Sequence, residues 1–271
     1  MTDDLEPGRW AAAVEPRADD APAGREAHLG LEVFLVLGVS LGASGLYALL
    51  DLIRTQLTVK GGISHATATL NGSAATQHWL DLAFQLAGVV TGVMPACLAL
   101  LLLWRDPGRP GLGIGMTRHH PGRTLLQGAG FAALIGIPGL ALVWAARSLG
   151  VNASIVASGL PDVWWRVPVS VLAAFQNGFN EEVIVIGYLL TRFSQLGWRA
   201  PTSVVVAAAV RGSYHLYRGL GGFVGNFVMG LVFGWWFTRT KKVLPLVVAH
   251  TILDTASFVG YVYLAGRVSW L

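Results

Sequence analysis

The sequence predicts an all-α fold, a polytopic transmembrane bundle of about seven to eight helices. Hydrophobic residues make up 54% of the 271 residues and charged residues only 13%, whereas a soluble domain carries about 25% charged residues. Ten tryptophans and 34 glycines are also typical of membrane proteins, in which aromatic rings anchor at the interfaces and small residues let helices approach. Together these observations exclude an ordinary soluble domain.

Residues 1–28 are predicted to form a disordered cytoplasmic tail, because they are rich in Ala, Pro and charged residues and have no hydrophobic period. Seven of the fifteen acidic residues lie there, and the rest of the chain carries sixteen Lys or Arg against eight acids. This basic excess is typical of cytoplasmic loops rather than of a nucleic-acid-binding surface. Residues 29–271 are therefore predicted to be the transmembrane helical domain, with no nucleic acid among its partners.

Seven apolar segments are predicted to cross the membrane, which requires about 20 residues for each helix. They lie near residues 29–53, 79–104, 125–149, 163–190, 201–217, 222–238 and 243–264. The fifth and sixth segments are short and interrupted by polar residues, so they are expected in the interior of the bundle. The length of the fourth segment leaves an eighth helix open.

The distribution of basic residues predicts the orientation in the membrane. Twelve Lys or Arg fall on the predicted inner side and six on the outer side, with Arg211 left within a span. This bias predicts an integral, multi-pass protein of the plasma membrane with a cytoplasmic N-terminus, surrounded by lipid. The acids Glu32, Asp51 and Asp81 lie within one turn of a predicted helix end and are expected to reach the interface.

Six ionisable residues lie deep inside the predicted spans, all in the C-terminal half: Glu181, Glu182, Arg211, His215, His250 and Asp254. A charged residue at the centre of a membrane helix costs about 2.5 to 3.5 kcal/mol. At about 1.5 Å per residue, Glu181 lies about 14 Å and His215 about 21 Å from the inner ends of their segments. These side chains are therefore expected to converge on one polar cavity.

The spacing of these residues limits the chemistry. His250 and Asp254 are four residues apart and so are expected on one helix face, as are Arg211 and His215. A His-Glu-x-x-His zinc motif and a Gly-x-Ser-x-Gly nucleophile motif are both absent from the sequence. Taken singly, an acid paired with Arg211, or a hydrogen-bonded clamp between His250 and Asp254, would have a purely structural explanation.

The arrangement resembles the CPBP family of CAAX-processing and bacteriocin-processing intramembrane proteases, also called the abortive-infection (Abi) family. The resemblance covers about residues 165–260. It rests on Glu181-Glu182, on Tyr214-His215 and on the His-x-x-x-Asp of residues 250–254. The stretch GFVGNFVMGLVFGWWF (222–237) is similar to the glycine-rich helix between the two histidines of that family, and its Gly230-x-x-x-Gly234 suits close helix packing.

The resemblance implies an intramembrane endopeptidase in which the first glutamate is the general base for a water. The implied catalytic residues are Glu181, Glu182, His215, His250 and Asp254, with Arg211 and Asn226 as structural support. The substrate would be a peptide or membrane protein, with or without a prenyl group. A mechanism without a cofactor is favoured, because neighbouring glutamates on a helix point about 100° apart. The alternative is a zinc ion held by Glu181, His215 and His250.

The sequence departs from the family at position 186, where Ile186 replaces the arginine expected four residues after the second glutamate. We expect Arg211 to supply the missing cation and to pair with Glu182. Two other functions stay open at this point: a catalytically inactive homologue acting as an immunity or binding protein, and an ion-coupled transporter. Against the transporter, the polar residues are confined to the last hundred residues.

Overall fold

A computed structural model describes residues 25–106, 114–115, 120–264 and 267, and it is a helical bundle as predicted. Its first two helices, α1 (Arg25–Gly38) and α2 (Leu41–Thr58), are bent by 52° at a short break, where a single span was expected. Ser40 Oγ donates a hydrogen bond to the Val36 carbonyl, a contact that bends helices, and Gly38 weakens the helix at the same point. Most of the predicted tail, residues 1–24, lies outside the described residues.

Four helical segments of the described chain are long and apolar enough to cross a membrane, or five if the bent pair counts as one span. They are the α3–α4 run (α3, His78–Gly92; α4, Met94–Trp104), α5 (Pro121–Ser148), α9 (Leu220–Thr240) and α10 (Leu244–Leu264). The prediction of seven crossings therefore exceeds what helix length and composition support.

The two remaining predicted spans form the interior of the bundle. The segment 166–195 consists of α6 (Arg166–Glu181), a π-helix (Glu182–Tyr188) and α7 (Leu189–Gln195). All its residues from 181 to 193 are buried, so protein rather than lipid surrounds them. The next helix, α8 (Ala200–Ser213), has 14 residues and is only about 21 Å long, shorter than the roughly 30 Å hydrocarbon core.

Close helix packing holds the interior helices against α9 and α10. A Cβ at Gly178 of α6 would lie 3.0 Å from the Thr251 backbone nitrogen of α10, and one at Gly230 of α9 would lie 2.8 Å from Ala208 Cα of α8. Gly234 approaches Val204 in the same way, at 2.9 Å. These glycines therefore bring α6 into direct contact with α10, and α8 into direct contact with α9.

A small cap joins two loops at one end of the bundle. Strand β1 (Thr67–Thr69) pairs in parallel with β2 (Ser154–Val156), next to a short 3₁₀ helix (Gly62–His65). Asp81, expected at the interface, is fully buried here and accepts hydrogen bonds from Ser73 Oγ (2.9 Å) and the Ala74 backbone nitrogen (2.8 Å). The strand pair was not predicted, because parallel pairing joins segments far apart in the sequence.

A buried cluster of charged residues, separate from the six deep ionisable residues, links α1 to α7. The guanidinium of Arg192 is fully buried and contacts Glu32, with Nε 2.8 Å from Oε1, and also Asp106. The Tyr188 hydroxyl donates a second hydrogen bond to Glu32 at 2.8 Å. Glu32 was expected to reach the interface, whereas the structure places it in this ion-pair network. The N-terminal helix is thereby tied to the bundle interior.

Candidate active site

Glu181 and Glu182 lie at the junction of α6 and the π-helix, and they face different partners. Glu181 Oε2 accepts a hydrogen bond from the Tyr214 hydroxyl at 2.8 Å and lies 3.7 Å from His215 Nε2. Glu182 Oε1 contacts Arg211 and His250. Successive helical residues point about 100° apart, and π-helical turns occur frequently at functional sites. The junction thus divides the two carboxylates between two groups of partners.

Arg211 links the two groups, and the predicted ion pair with Glu182 is present. Its Nη2 donates to Glu182 Oε1 at 2.5 Å and to Glu181 Oε2 at 3.4 Å, and it lies 2.9 Å from His250 Nδ1. The guanidinium is fully buried and stacks over the Phe233 ring, 5.6 Å from its centroid. The contact to Glu182 uses one nitrogen and one oxygen, so it is not bidentate. A cation from α8 therefore compensates the absence of an arginine at position 186.

His215 lies in a turn after α8 rather than on that helix, where it was predicted. Helix α8 ends at Ser213, and His215 lies in the turn before the 3₁₀ segment Leu216–Arg218, so it does not share a helix face with Arg211. The His215 backbone nitrogen still bonds to the Gly212 carbonyl at 3.0 Å. This turn brings the imidazole to Glu181 although the helix has ended.

The 3.7 Å separation between His215 Nε2 and Glu181 Oε2 is too long for a hydrogen bond and within reach of one shared water. Neither ring nitrogen of His215 has a hydrogen-bond partner in the described part of the protein. The imidazole is 6% exposed and Glu181 is 9% exposed. The two side chains therefore form a buried pair that can bind a water or a polar group of a substrate.

His250 and Asp254 lie on one face of α10, as their spacing predicts. His250 Nδ1 lies 2.8 Å from Glu182 Oε1, and Nε2 lies 3.7 Å from Asp254 Oδ2. Asn177 Nδ2 donates to Asp254 Oδ2 at 3.2 Å, a contact that the sequence analysis missed. The available signal was the position of Asn177, a polar residue one turn before Glu181 on the same helix.

The structure places the predicted supporting residue Asn226 away from this role. Its Nδ2 donates to the Gly222 carbonyl of the same helix at 3.0 Å. Within the described residues this is the hydrogen bond its side chain makes, and it stabilises α9 rather than orienting a site residue. A polar residue between two histidines of similar depth does not by itself indicate which way its side chain turns.

The zinc alternative does not fit these side chains. Among the described residues, no group of three His, Cys, Asp or Glu side chains is arranged to hold a metal ion. The alternative required Glu181, His215 and His250, and with its Nδ1 at Glu182, His250 would have only Nε2 left as a ligand, which lies 3.7 Å from Asp254 Oδ2. The guanidinium of Arg211 also lies against both glutamates and His250, and its positive charge opposes a second cation there.

The comparisons with known proteins agree with the resemblance stated from the sequence. Residues 163–256 match the family model described as Type II CAAX prenyl endopeptidase Rce1-like. The matched segment includes both glutamates, Arg211, both histidines and Asp254. Neither the curated proteins nor the solved structures give a match. The match to residues 163–256 confirms the resemblance at family level. Together with four apolar helices long enough to cross a membrane, it indicates an integral membrane protein.

Proposed function

We propose that this protein, whose residues 163–256 match the type II CAAX prenyl endopeptidase family, is an intramembrane endopeptidase that hydrolyses a peptide bond with a water activated by Glu181 and His215. The observation that carries the proposal is the relation between these two side chains. They lie 3.7 Å apart, both buried, and both His215 nitrogens lack a partner within the described residues. A water bound to both would be polarised by a carboxylate acting as general base.

The reaction proceeds in two steps in this proposal. Glu181 takes a proton from the water while the oxygen of the water attacks the carbonyl carbon of the substrate. A tetrahedral oxyanion forms. Glu181 then gives this proton to the nitrogen of the leaving amine as the carbon–nitrogen bond breaks. His215 holds the water in line for the attack, and no cofactor takes part.

His250 and Asp254 are assigned to the developing oxyanion. His250 Nδ1 faces Glu182, so Nε2 is the ring nitrogen that is free to turn toward a substrate carbonyl; it lies on the Asp254 side. Asn177 holds Asp254 at 3.2 Å and so fixes the position of this pair. Hydrogen-bond donors placed before the reaction, in a site without bulk water, stabilise the transition state because they need no reorganisation.

The Arg211–Glu182 pair supports an active enzyme rather than an inactive homologue. The main reason for the inactive alternative was the missing cation at position 186, and Arg211 supplies a cation that contacts Glu182 at 2.5 Å. The proposed substrate is a peptide or membrane protein, with or without a prenyl group. The plasma membrane, with a cytoplasmic N-terminus, is the proposed location, supported by the distribution of Lys and Arg.

The proposal is tested by the cleavage of two quenched fluorescent peptides that differ only in a prenyl group, added to the purified protein in lipid vesicles. Glu181→Gln should abolish cleavage while the melting temperature stays close to that of the wild type. Asp162→Asn is the matched control, since its carboxylate is 94% exposed and pairs with Arg166 rather than with a residue of the site. Equal cleavage by the Glu181→Gln protein would refute the general-base role, and cleavage of only one peptide would assign the prenyl requirement.

A further inference from the structure

An open cleft lies beside the candidate active site, between α2 and the turn that follows α8. Its volume is about 620 Å³, within the range of ligand-binding pockets. On the α2 side it is lined by Ser44, Tyr47 and Asp51, and on the other side by Tyr214 and Tyr217. The mechanism proposed above makes no use of α2, so this surface has no assigned role.

The cleft follows one flank of α2. Residues 44, 47, 51 and 54 recur at helical spacing and lie beside the buried stripe formed by Gly45, Ala48 and Thr55. Next to the lining residues Ser44 and Tyr214, α2 closely approaches the end of α8, because a Cβ at Gly45 would lie 2.5 Å from Ser213 Oγ. Tyr47 is 72% exposed, so the flank opens toward the surroundings of the bundle.

Tyr214 connects the cleft with the active site. This residue forms part of the cleft wall, and its hydroxyl donates to Glu181 Oε2 at 2.8 Å. His215, the next residue, faces the same carboxylate. A molecule in the cleft is therefore separated from the proposed water site by the thickness of one side chain.

Tyr217, the second aromatic residue of the cleft wall, is held in place by Arg218. Arg218 Nε donates to the Tyr217 hydroxyl at 2.9 Å, and its guanidinium lies 5.4 Å from the centre of the Tyr217 ring. Two contacts from one cation restrict the ring, which lowers the entropy lost when a ligand packs on it. The part of the wall formed by Tyr217 is therefore preorganised for packing against a ligand.

We infer that this cleft binds an extended segment of the peptide substrate next to the scissile bond, and that Tyr47 and Tyr217 select apolar or aromatic side chains there. The inference rests on the proposed function. The lining also contains the Asp51–Arg54 ion pair and the Ser44 hydroxyl, which donates to the Ser40 carbonyl at 3.4 Å. A hydrocarbon chain would cover the rings but would take these polar groups out of contact with water without adding a hydrogen bond to them. An extended peptide brings apolar side chains for the rings and backbone N–H and C=O groups for these polar atoms.

The test places a benzophenone amino acid at position 47 of the full-length Glu181→Gln protein in phosphatidylcholine vesicles. The probe is a biotinylated Leu/Ala peptide of about 20 residues, long enough to span the bilayer, with a Gly-Pro break at its centre. Position 49 is the control, because Leu49 lies on the opposite flank of α2 and is also exposed, at 44%. Irradiation should give several times more peptide adduct at position 47 than at position 49.

Equal peptide adducts at the two positions, or adducts with lipid alone at position 47, would overturn the inference. Tyr217→Ala in the same background should reduce the peptide adduct at position 47. An unchanged yield would count against a contribution of the Tyr217 ring to peptide binding. The proposed function is read separately, from cleavage by the protein with Glu181 intact. Cleavage without preferential adducts would refute peptide binding in the cleft and still support the proposed protease function. Preferential adducts without cleavage would support peptide binding in the cleft and count against the protease function.

Discussion

Arg211 Nη2 lies 2.5 Å from Glu182 Oε1, so that a guanidinium from α8 contacts the second of the two adjacent glutamates at the junction of α6 and the π-helix. Both side chains are fully buried, and the same nitrogen also lies 3.4 Å from Glu181 Oε2. A buried carboxylate without a cation would be strongly unfavourable. This pair therefore allows two acids to lie in the interior of the bundle although position 186 is an isoleucine.

Arg211→Leu should destabilise the protein by about 3–5 kcal/mol, because the Glu182 carboxylate would be left buried and unpaired. Ile186→Arg in that background should restore part of the loss, since it returns a cation to the helix that carries Glu182. Thermal melts in detergent of the single and double variants measure both effects. Arg54→Leu, at a side chain that is 72% exposed, serves as the control and should change little. A double variant no more stable than Arg211→Leu would contradict the compensation.

His215→Ala should lower kcat by about 10²- to 10⁴-fold, the usual contribution of a positioned acid–base group. The protein should still fold, because neither nitrogen of the ring bonds to the described residues. The measurement is peptide cleavage in vesicles, alongside a melting curve. Retained activity in a folded His215→Ala protein would remove this histidine from the water site.

His250→Ala should reduce kcat more than it raises KM, since a donor to the oxyanion acts in the transition state rather than in substrate binding. Asn177→Ala should cause a smaller loss of the same kind, because Asn177 acts through its 3.2 Å hydrogen bond to Asp254 rather than on the substrate itself. Steady-state kinetics on one peptide separate the two parameters. A change confined to KM would place His250 in substrate binding instead.

Tyr214→Phe should keep the aromatic ring at this position of the cleft wall and remove the hydroxyl that donates to Glu181. We expect kcat to fall about tenfold, the scale of a lost hydrogen bond to a charged group, and the pH profile of kcat to shift. Tyr217→Phe is the matched control, as its hydroxyl contacts Arg218 rather than the glutamate. An unshifted pH profile with a lower melting temperature would mean that the Tyr214 hydroxyl is structural only.

A zinc chelator such as phenanthroline should leave cleavage unchanged, because the Arg211 guanidinium contacts both glutamates and His250 and so disfavours a second cation there. The assay compares activity before and after chelation, with added zinc as the third measurement. Loss of activity that zinc restores would overturn the metal-free mechanism.

The sequence predicts much of the site, because its residues are spaced along apolar helices whose geometry is regular. The shared face of His250 and Asp254 follows directly from their helical spacing, and the pairing of Arg211 with Glu182 follows from similar depth on neighbouring helices. Both contacts are present. The position of His215 was predicted by extending a helix that in fact ends at Ser213. No local pattern indicates that a turn brings the imidazole to the same carboxylate.

The sequence by itself determined that this is a bundle of apolar helices, that its buried charges lie in the C-terminal half, and that these residues resemble those of a protease family. Hydrophobicity and helical period act over neighbouring residues, so they can be read along the chain. The tertiary structure alone decided which partners meet: Asn177 with Asp254, Glu32 with Arg192, and β1 with β2. These pairs are separated by 77 residues or more, and their contacts depend on how whole helices pack, which local periodicity does not encode.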